Sequence, residues 1–340
     1  MNPISYIESR KYKNNKSWYN IKKILAYCIP NYFFRSRLQS KLQLIDKYDR
    51  AEILERVNYY NKLSAAYSCG ANIGHYKELK EDTAAVCREG FIKIKNFTLA
   101  KKYTPFTHYM DTYKYVRYFD GNLFMSFFFG DVTQIPVVPQ IVKSRPIVGN
   151  NANSIVLNLN KLRHFIFVDD NIEFKDKKDR LIGRGAIFQP HRIRFYEKYF
   201  GNPMCDLGHV GGDNGHPDWK KDKLPISRHL IYKYILCLEG NDVASNLKWV
   251  MSSNSIAVMP RPKYETWFME GKLIPNFHYI EIKEDYSDLE EKLMYYNEHT
   301  DEALEIIENA HAYIRQFMDS DKEDLIALMV LQKYFDYQRD

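Results

Sequence analysis

Short apolar runs alternate with stretches of helical spacing along most of the chain. The apolar runs that predict strands occur at residues 90–96, 123–129, 154–159, 180–188, 232–240 and 255–260. Apolar residues at helical spacing follow two of these runs, in PHRIRFYEKYF and ASNLKWVMSS. Because strands that alternate with helices form layered α/β structures, the pattern predicts an α/β fold.

The same pattern divides the chain into four segments. We predict a mainly helical N-terminal region at residues 1–70, an α/β lobe at 71–172, a second α/β lobe at 173–310 and a C-terminal helix at 311–340 that returns to the first lobe. The charged stretch from Asp169 to Arg180 has few core residues and marks the predicted lobe boundary. Ser287 and Ser320 each stand three residues before a glutamate, which is the capping-box pattern that begins a helix.

Positive charge is concentrated at the amino terminus. The chain has 340 residues and a net charge of +6. Residues 1–50 hold 11 Lys and Arg against 3 acids, a balance of +8, so the remaining residues sum to −2. The basic character does not continue along the chain and no recognition motif accompanies it, so nucleic acid is not a predicted partner.

The basic segment also carries apolar residues at helical spacing. Trp18, Ile21, Ile24 and Leu25 share one predicted helical face, with lysines on its flank. Two interpretations are open. Either residues 10–50 lie on an anionic membrane surface, or a solvated helix packs that same face on the body of the protein.

The apolar segments and the cysteines bear on the compartment. No run approaches the roughly 18 apolar residues of a membrane span, and the polar start lacks the apolar centre of a signal peptide. The 5 cysteines are scattered without a CxxC pair, which argues against both a disulfide framework and a zinc ribbon. We therefore expect a cytoplasmic protein.

Motif searches exclude several common classes of enzyme. The chain has no GxxxxGK[ST] phosphate loop, no GxGxxG after a strand, no GxSxG elbow and no HExxH. Asp319-Ser320-Asp321 resembles a metal-binding triplet, but its place at a helix start indicates a cap. The cluster from Cys205 to His216 is glycine-rich and has no standard metal-ligand spacing, which favours a loop. We predict no catalytic metal and no cofactor.

Two turns that follow predicted strands have features of anion-binding sites. In Gly183-Arg184-Gly185 the glycines allow close backbone approach, and Arg184 lies where open α/β sheets bind ligands. After the next strand, the turn at 239–242 precedes a helix predicted to begin near Ser245, with Lys248 one turn inside. Either turn alone is typical of an ordinary strand-to-helix connection.

A resemblance to glycosyltransferase family 90 joins these features. It is carried by FMSFFFGDVTQIP at 124–136, by GRGAIFQPHRIRF at 183–195 and by the block at 228–290, which contains EGNDVASNLKW. The resemblance extends from about residue 124 to 335, and its wording is closest to the bacterial lipopolysaccharide-core branch of the family.

The resemblance implies a GT-B type fold with two Rossmann-like lobes, a deep cleft, a helical N-terminal extension and C-terminal return helices. The sugar nucleotide would bind mainly to the second lobe. The donor-binding positions of the family fall on Arg184, Gly185, Gly240, Asn241, Ser245, Asn246 and Lys248, and on Glu265 in a Glu/Trp region with Trp267. Asn246 stands where eukaryotic relatives carry an arginine, so Arg184 and Lys248 are expected to neutralise more of the diphosphate charge.

The resemblance also implies a catalytic base. Family members place a carboxylate in an Asp-x-x-Gln-x-Pro setting after a first-lobe strand, and Asp131 has that setting here. One base and one displacement from the opposite face predict inversion at the anomeric carbon. Gln134, Ser144 and Arg145 are the predicted acceptor contacts, with simple packing of the first lobe as the alternative.

The implied function is the metal-independent transfer of a hexose, glucose or galactose, from a UDP-sugar to a lipopolysaccharide or lipooligosaccharide core sugar. The acceptor would be lipid-linked, and the enzyme would be peripheral on the inner face of the bacterial inner membrane. Three alternatives stay open, because a fold does not by itself establish an activity. They are a protein or capsule O-glycosyltransferase of the same family, a non-catalytic glycan-binding module on this fold, and a phosphotransferase.

Overall fold

The computed structural model describes residues 16–69, 76–78, 86–88, 90–98 and 106–339. Its helices there are α1 (Lys16–Tyr27), α2 (Tyr32–Arg35), α3 (Leu38–Leu42), α4 (Arg50–Tyr60), α5 (Phe106–Val116), α6 (Lys161–His164), α7 (Pro190–Tyr199), α8 (Ile226–His229), α9 (Leu247–Met251), α10 (Leu289–Glu298), α11 (Thr300–Arg315) and α12 (Ser320–Asp336). The strands are β1 (Tyr67–Ser68), β2 (Tyr76–Glu78), β3 (Val86–Arg88), β4 (Ile92–Lys93), β5 (Phe124–Met125), β6 (Phe127–Phe129), β7 (Gln140–Val142), β8 (Arg145–Pro146), β9 (Ser154–Val156), β10 (Lys178–Gly185), β11 (Cys205–His209), β12 (Tyr232–Leu236), β13 (Ile256–Met259), β14 (Tyr264–Glu265), β15 (Ile280–Glu281) and β16 (Gln338–Arg339). None of these helices is long and apolar enough to cross a membrane.

The chain divides into two compact units. The first unit contains Lys16–Leu162, Lys263–Gly271 and Phe317–Asp340, and the second unit contains Arg163–Pro262 and Lys272–Gln316. The charged stretch from residue 169 to 180 lies inside the second unit. There Lys177 Nζ and Asp170 Oδ2 form a buried ion pair at 2.8 Å. A run of charged residues can therefore belong to the interior of a unit when its charges are paired.

The first unit contains a mixed five-stranded sheet in the order β2-β3-β6-β7-β9. The strands β6, β7 and β9 are parallel, whereas β2, β3 and β6 pair antiparallel. Aromatic side chains fill the core beside this sheet: the rings of Phe127 and Phe129 are 4.4 Å apart, and Phe97 packs 5.4 Å from Phe127. Because β6 and β7 run parallel in register, the residues that follow them meet at one edge of the sheet.

Helices α4 and α12 of the first unit enclose a buried ion pair. Arg56 Nη1 lies 2.6 Å from Glu323 Oε1, and both side chains are almost fully buried. The indole N–H of Trp267 donates to the same carboxylate, and its ring stacks on Tyr60 at 3.8 Å. This network fixes Trp267 in the core, because its indole N–H and the carboxylate of Glu323 are both hydrogen-bonded there.

Several helices begin one or more residues away from the predicted position. Asp319 rather than Ser320 caps α12, since its side chain accepts hydrogen bonds from two backbone N–H groups of the first turn. Asp288 rather than Ser287 precedes α10, and α9 begins only at Leu247. The prediction that the acidic triplet at 319–321 is a helix cap is confirmed.

Helix α1 presents an apolar face to solvent. The side chains of Trp18, Ile21, Ile24 and Leu25 are 56, 47, 47 and 64% exposed. The interpretation in which this face packs on the body of the protein is therefore wrong. Residues 10–15 of the predicted membrane-binding segment lie outside the described residues.

The second unit is built on five parallel strands in the order β11-β10-β12-β13-β15. Counted from its own first strand, this is the flavodoxin-like order 2-1-3-4-5. Its core combines the strands with α7, α10 and α11, through buried residues such as Leu181, Phe195, Val258, Leu289 and Ile306. Sheets of this order bind ligands at the carboxyl edge, where the strand order reverses between the first and third strands. The prediction of an α/β fold is confirmed.

Candidate active site

A cavity of about 200 Å³ opens at the carboxyl edge of the second unit's sheet, at the switch point between β10 and β12. Its lining residues are Arg163, Gly183, Arg184, Gly185, Ala186, Ile187, Arg192, Tyr196, Leu236, Leu238, Ser245 and Asn246. Four of the predicted donor-binding residues meet here, namely Arg184, Gly185, Ser245 and Asn246. The apolar strands β10 and β12 thus end beside one polar cavity, which the first predicted anion-binding turn lines, whereas residues 239–242 of the second turn do not.

The lining of this cavity is strongly cationic. Arg163, Arg184 and Arg192 contribute to it, whereas no aspartate or glutamate is among its lining residues. Guanidinium groups are planar, stay charged and match the oxygen pairs of phosphates. The cavity is therefore suited to an anion with several oxygens.

Arg184 is fixed at the end of β10 by the neighbouring strand β11. Its Nη2 lies 2.7 Å from Oδ1 of Asp206, and its Nη1 donates to the carbonyl oxygen of Asp206 at 2.6 Å. Only 7% of the Arg184 side chain is exposed, and its buried Nε makes no hydrogen bond with the described residues. A guanidinium held in this way is already oriented and keeps one unsatisfied donor.

Asp206 collects three hydrogen-bond donors. Tyr232 donates its hydroxyl to Oδ2 at 2.6 Å, while Lys221 Nζ lies 3.1 Å from Oδ1, the atom that Arg184 also contacts. Burial by itself raises the pKa of Asp206, but the hydrogen bonds from Tyr232, Arg184 and Lys221 outweigh burial and hold that pKa well below its usual range. The carboxylate is therefore charged under all physiological conditions.

Arg192 holds the rim of the cavity, a role that the sequence analysis missed. From α7 it donates to three backbone carbonyls, those of Ala186 at 2.9 Å, Leu238 at 2.8 Å and Glu239 at 2.7 Å. Burial lowers the pKa of Arg192, and the charge of Arg163 acts in the same direction. The available signal was its place in GRGAIFQPHRIRF, seven residues after Gly185 and in the first turn of α7.

Ser245 and Asn246 form the side of the cavity next to α9. Asn246 directly precedes α9, and its Nδ2 donates to the carbonyl oxygen of Leu236 at 2.9 Å. The Asn246 side chain therefore joins the start of α9 to the end of β12.

Gly240, Asn241 and Lys248 do not line the cavity. A Cβ atom at Gly240 would lie 3.5 Å from Nη2 of Arg192, which is ordinary van der Waals contact, so the turn lies beside that arginine. Asn241 accepts a hydrogen bond from Gln189 Nε2 at 3.0 Å. Lys248 is fully buried within α9, so the lining cations of the cavity are the three arginines.

Asp131 lies at the carboxyl edge of the first unit's sheet. It follows β6 through Gly130, whose φ of 123° favours glycine. Lys143 follows the parallel strand β7, and its Nζ donates to Oδ1 of Asp131. The Lys143 side chain is 2% exposed and that of Asp131 27%, so a buried cation fixes a carboxylate that solvent and ligands can reach. Sequence reasoning missed Lys143 because the pair depends on the register between β6 and β7.

Ser144 and Gln134, two of the predicted acceptor contacts, lie in different environments. The Ser144 hydroxyl accepts from the backbone N–H of Val132 at 3.0 Å and lies 3.1 Å from the Val132 carbonyl oxygen. It is fully buried and fixes the residue after Asp131. Gln134 is exposed in the following loop, where it is accessible to an acceptor.

Arg145 and Glu265 pair with each other in the interior of the first unit. They face each other across the antiparallel strands β8 and β14, with Arg145 Nε 2.8 Å from Glu265 Oε1. Arg145 also donates to the carbonyl oxygens of Tyr59 at 2.6 Å and Ser154 at 3.1 Å. Both side chains are almost fully buried, so neither is among the ligand contacts that we propose.

The predicted loop from Cys205 to His216 is only partly a loop. Residues Cys205–His209 form β11, and the irregular segment begins after it. The His209 Nδ1 accepts from the backbone N–H of Ile187 at 3.0 Å, and Nε2 lies 2.7 Å from the Gly212 carbonyl oxygen. Over the residues that the structure describes, no group of three or more His, Cys, Asp and Glu side chains is placed to hold a metal ion.

Comparison with known proteins gives the class. The model of glycosyl transferase family 90 matches residues 211–339. The O-glucosyltransferase LpsA of Dichelobacter nodosus is 38% identical over 330 residues, which are 95% of this chain and 97% of that protein. Protein O-glucosyltransferase 3 of Homo sapiens is 31% identical over 169 residues, 48% of this chain and 33% of that protein. The chain belongs to glycosyltransferase family 90.

Proposed function

We propose that this glycosyltransferase moves a hexose from a UDP-sugar to a core sugar of a lipopolysaccharide or lipooligosaccharide, with inversion at the anomeric carbon. The observation that carries the proposal is the cavity at the switch point, with three lining arginines and no lining carboxylate. In this proposal the chain is a GT-B enzyme whose second unit binds the donor, while its first unit supplies the base.

The donor half of the reaction needs positive charge. When the bond between the anomeric carbon and the diphosphate oxygen breaks, the departing UDP takes the electron pair and gains negative charge. Arg184 and Arg192 line the cavity with guanidinium groups that hydrogen bonds already orient. Arg163 contributes a third positive charge to the lining. Preorganised donors of this kind stabilise developing charge without reorganisation during the reaction. We propose that they do this work without a metal ion.

The acceptor half needs a base, for which we propose Asp131. An acceptor hydroxyl would form the new bond to the anomeric carbon and give its proton to the carboxylate. Lys143 donates to Oδ1 of that carboxylate and thereby orients it. One positioned base contributes about 10² to 10⁴ in rate.

The relatives favour glucose as the hexose. Both named relatives are O-glucosyltransferases, and one of them matches nearly the full length of this chain. We propose a lipid-linked oligosaccharide as the acceptor because the sequence motifs of the chain resemble those of the lipopolysaccharide-core branch of the family. A protein or capsule acceptor is the alternative within the same family.

The deciding experiment is a donor and acceptor screen by mass spectrometry. Purified protein is incubated with UDP-glucose, UDP-galactose and other UDP-sugars, with truncated core oligosaccharide or a protein acceptor, with and without a metal chelator. Asp131→Asn serves as the matched variant, because it keeps the shape of the side chain and removes the base. We expect a hexose added to core oligosaccharide, largest with UDP-glucose, unaffected by chelator and reduced about 100-fold or more in Asp131→Asn.

Other outcomes separate the alternatives. A phosphate increment in place of a hexose would identify a phosphotransferase. Donor binding without transfer to any acceptor, in wild type and variant alike, would identify a glycan-binding module. Full activity in Asp131→Asn would remove Asp131 from the mechanism but leave the donor site intact.

A further inference from the structure

The first two helices carry a set of large apolar side chains in solvent, which we call the amino-terminal apolar face. Its members are between 44 and 69% exposed, and they are Trp18, Ile21, Ile24, Leu25, Ile29, Tyr32 and Phe33. Single exposed apolar residues are normal, but a contiguous run of this kind marks an interaction surface. In α1 the exposed positions 18, 21 and 25 follow helical spacing, so they share one side of the helix.

The opposite side of α1 is firmly attached to α5. The hydroxyl of Tyr19 donates to Asp111, and the rings of Tyr27 and Tyr113 lie 4.8 Å apart. Arg117 donates to the carbonyl oxygen of Ala26 at 2.6 Å, close to the end of the helix. The side of α1 that carries Tyr19 and Tyr27 is therefore the inner side, and the side that carries Trp18, Ile21 and Leu25 is the outer one. This is the reverse of a helix that packs on a core.

The charge within the segment that carries the amino-terminal apolar face is of one sign. Residues 16–45 contain Lys16, Lys22, Lys23, Arg35, Arg37 and Lys41, and no aspartate or glutamate. Of these side chains, those of Lys22, Arg35 and Arg37 are exposed. A second copy of the chain would bring two such positive segments together, whereas an anionic surface would complement them.

We propose that the amino-terminal apolar face binds an anionic lipid bilayer at its interface. Trp18, Leu25 and their neighbours enter the boundary between headgroups and acyl chains, and the basic side chains meet the lipid phosphates. Amphipathic helices bind in this manner, with a strength set by the buried apolar area and by attraction to anionic lipids. The proposal needs no sugar transfer and so stands apart from the proposed function.

Vesicle sedimentation with the full chain tests the proposal. One set of vesicles is phosphatidylcholine, and the other is an equal mixture of phosphatidylcholine and phosphatidylglycerol. We expect binding to the mixed vesicles that weakens with added salt and is at least about tenfold weaker in Leu25→Ser. Leu304→Ser is the matched control, because Leu304 is 42% exposed on α11, outside the amino-terminal apolar face. Lys22→Glu is the second variant and should weaken binding about fivefold or more.

Three results would overturn the proposal. They are equal binding to both kinds of vesicle, wild-type binding by Leu25→Ser, and equal losses in Leu25→Ser and Leu304→Ser. Analytical ultracentrifugation adds a fourth. If the wild type is a dimer and Leu25→Ser a monomer, the face joins two copies of the chain instead of a bilayer. Circular dichroism of each variant establishes that the fold is intact, as the exposure of these residues leads us to expect.

Discussion

Removal of the Arg184 guanidinium should weaken nucleotide binding in proportion to the phosphates that the nucleotide carries. Arg184 lines the switch-point cavity, is 7% exposed and is already oriented by Asp206. If the cavity holds the diphosphate of the donor, Arg184→Ala removes a contact to phosphate and none to uridine. The variant is therefore expected to discriminate between UDP, UMP and uridine.

The size of the effect follows from the type of contact. A hydrogen bond to a charged group is worth about 1.5 to 3 kcal/mol, which is about 10- to 150-fold in the dissociation constant of UDP. The loss should be smaller for UMP and close to zero for uridine. Salt weakens the attraction between the diphosphate oxygens and the guanidinium group. The ratio of the UDP dissociation constants of Arg184→Ala and wild type should therefore shrink as salt is added.

The ion pair with Asp206 complicates the variant and also supplies its control. Arg184→Ala leaves the Asp206 carboxylate, 19% exposed, with Tyr232 and Lys221 as its remaining partners. A loss of folding stability is therefore expected, since removal of one partner of a largely buried pair exposes the other to an unfavourable environment. The double variant Arg184→Ala/Asp206→Asn removes the uncompensated charge and should recover part of the stability but none of the UDP affinity.

Isothermal titration of UDP, UMP and uridine measures the series, and thermal unfolding measures stability in parallel. Arg194→Ala is the matched control, because Arg194 is an exposed arginine of α7 that does not line the cavity. Equal losses for all three ligands in Arg184→Ala would mean that the variant damages the fold and not a phosphate contact. Unchanged UDP affinity in a folded variant would refute the assignment of the cavity to the diphosphate.

Three further predictions concern the groups around these two sites. Lys143→Met should lower kcat about 10- to 100-fold with little change in KM for the UDP-sugar, and Lys143→Arg should restore part of it, because the lysine positions Asp131; a change confined to KM would contradict this. Arg192→Met should lower the free energy of unfolding by about 2 to 4 kcal/mol in urea titrations, since three backbone carbonyls lose a charged donor, and an unchanged midpoint would contradict it. Asp206 has a lowered pKa in the folded chain, so its stabilisation is complete above the ordinary aspartate value of about 3.9 and is lost as the pH falls below it. The difference in thermal midpoint between wild type and Asp206→Asn should therefore be largest near neutral pH and shrink in acid, and a constant difference would refute the argument.

The part of the cavity that the sequence predicts is the part encoded by local pattern. An apolar run that ends in Gly183-Arg184-Gly185 predicts a strand end with an exposed backbone and a cation, and the structure places β10 and the cavity there. Arg163 and Arg192 were not predicted, because they come from helices whose approach to the cavity depends on the packing of the unit. Sequence spacing gives no measure of such distances.

The sequence also cannot tell which face of a helix is the inner one. Trp18, Ile21 and Leu25 form an apolar face in the pattern, and the usual expectation is that such a face is buried. Here Tyr19 and Tyr27 take the inner side, because Asp111 and Tyr113 on α5 offer them a polar partner and a ring. The decision depends on the surface of α5, which is remote in the chain.

Asn246 lines the cavity but contributes no charge to it. Its amide donates to the carbonyl oxygen of Leu236 at the end of β12, 2.9 Å away. The family resemblance implied that Arg184 and Lys248 would supply more of the positive charge; Arg184 lines the cavity, but Lys248 is fully buried and does not line it. Arg192 does line the cavity, from α7, the helix that follows β10. It donates to the carbonyl oxygens of Leu238 and Glu239 after β12 and to that of Ala186 after β10. If the cavity binds a diphosphate, as we propose, Arg192 has little freedom to lose on binding because it already holds both strand ends, and we expect it to supply positive charge that the Asn246 amide does not.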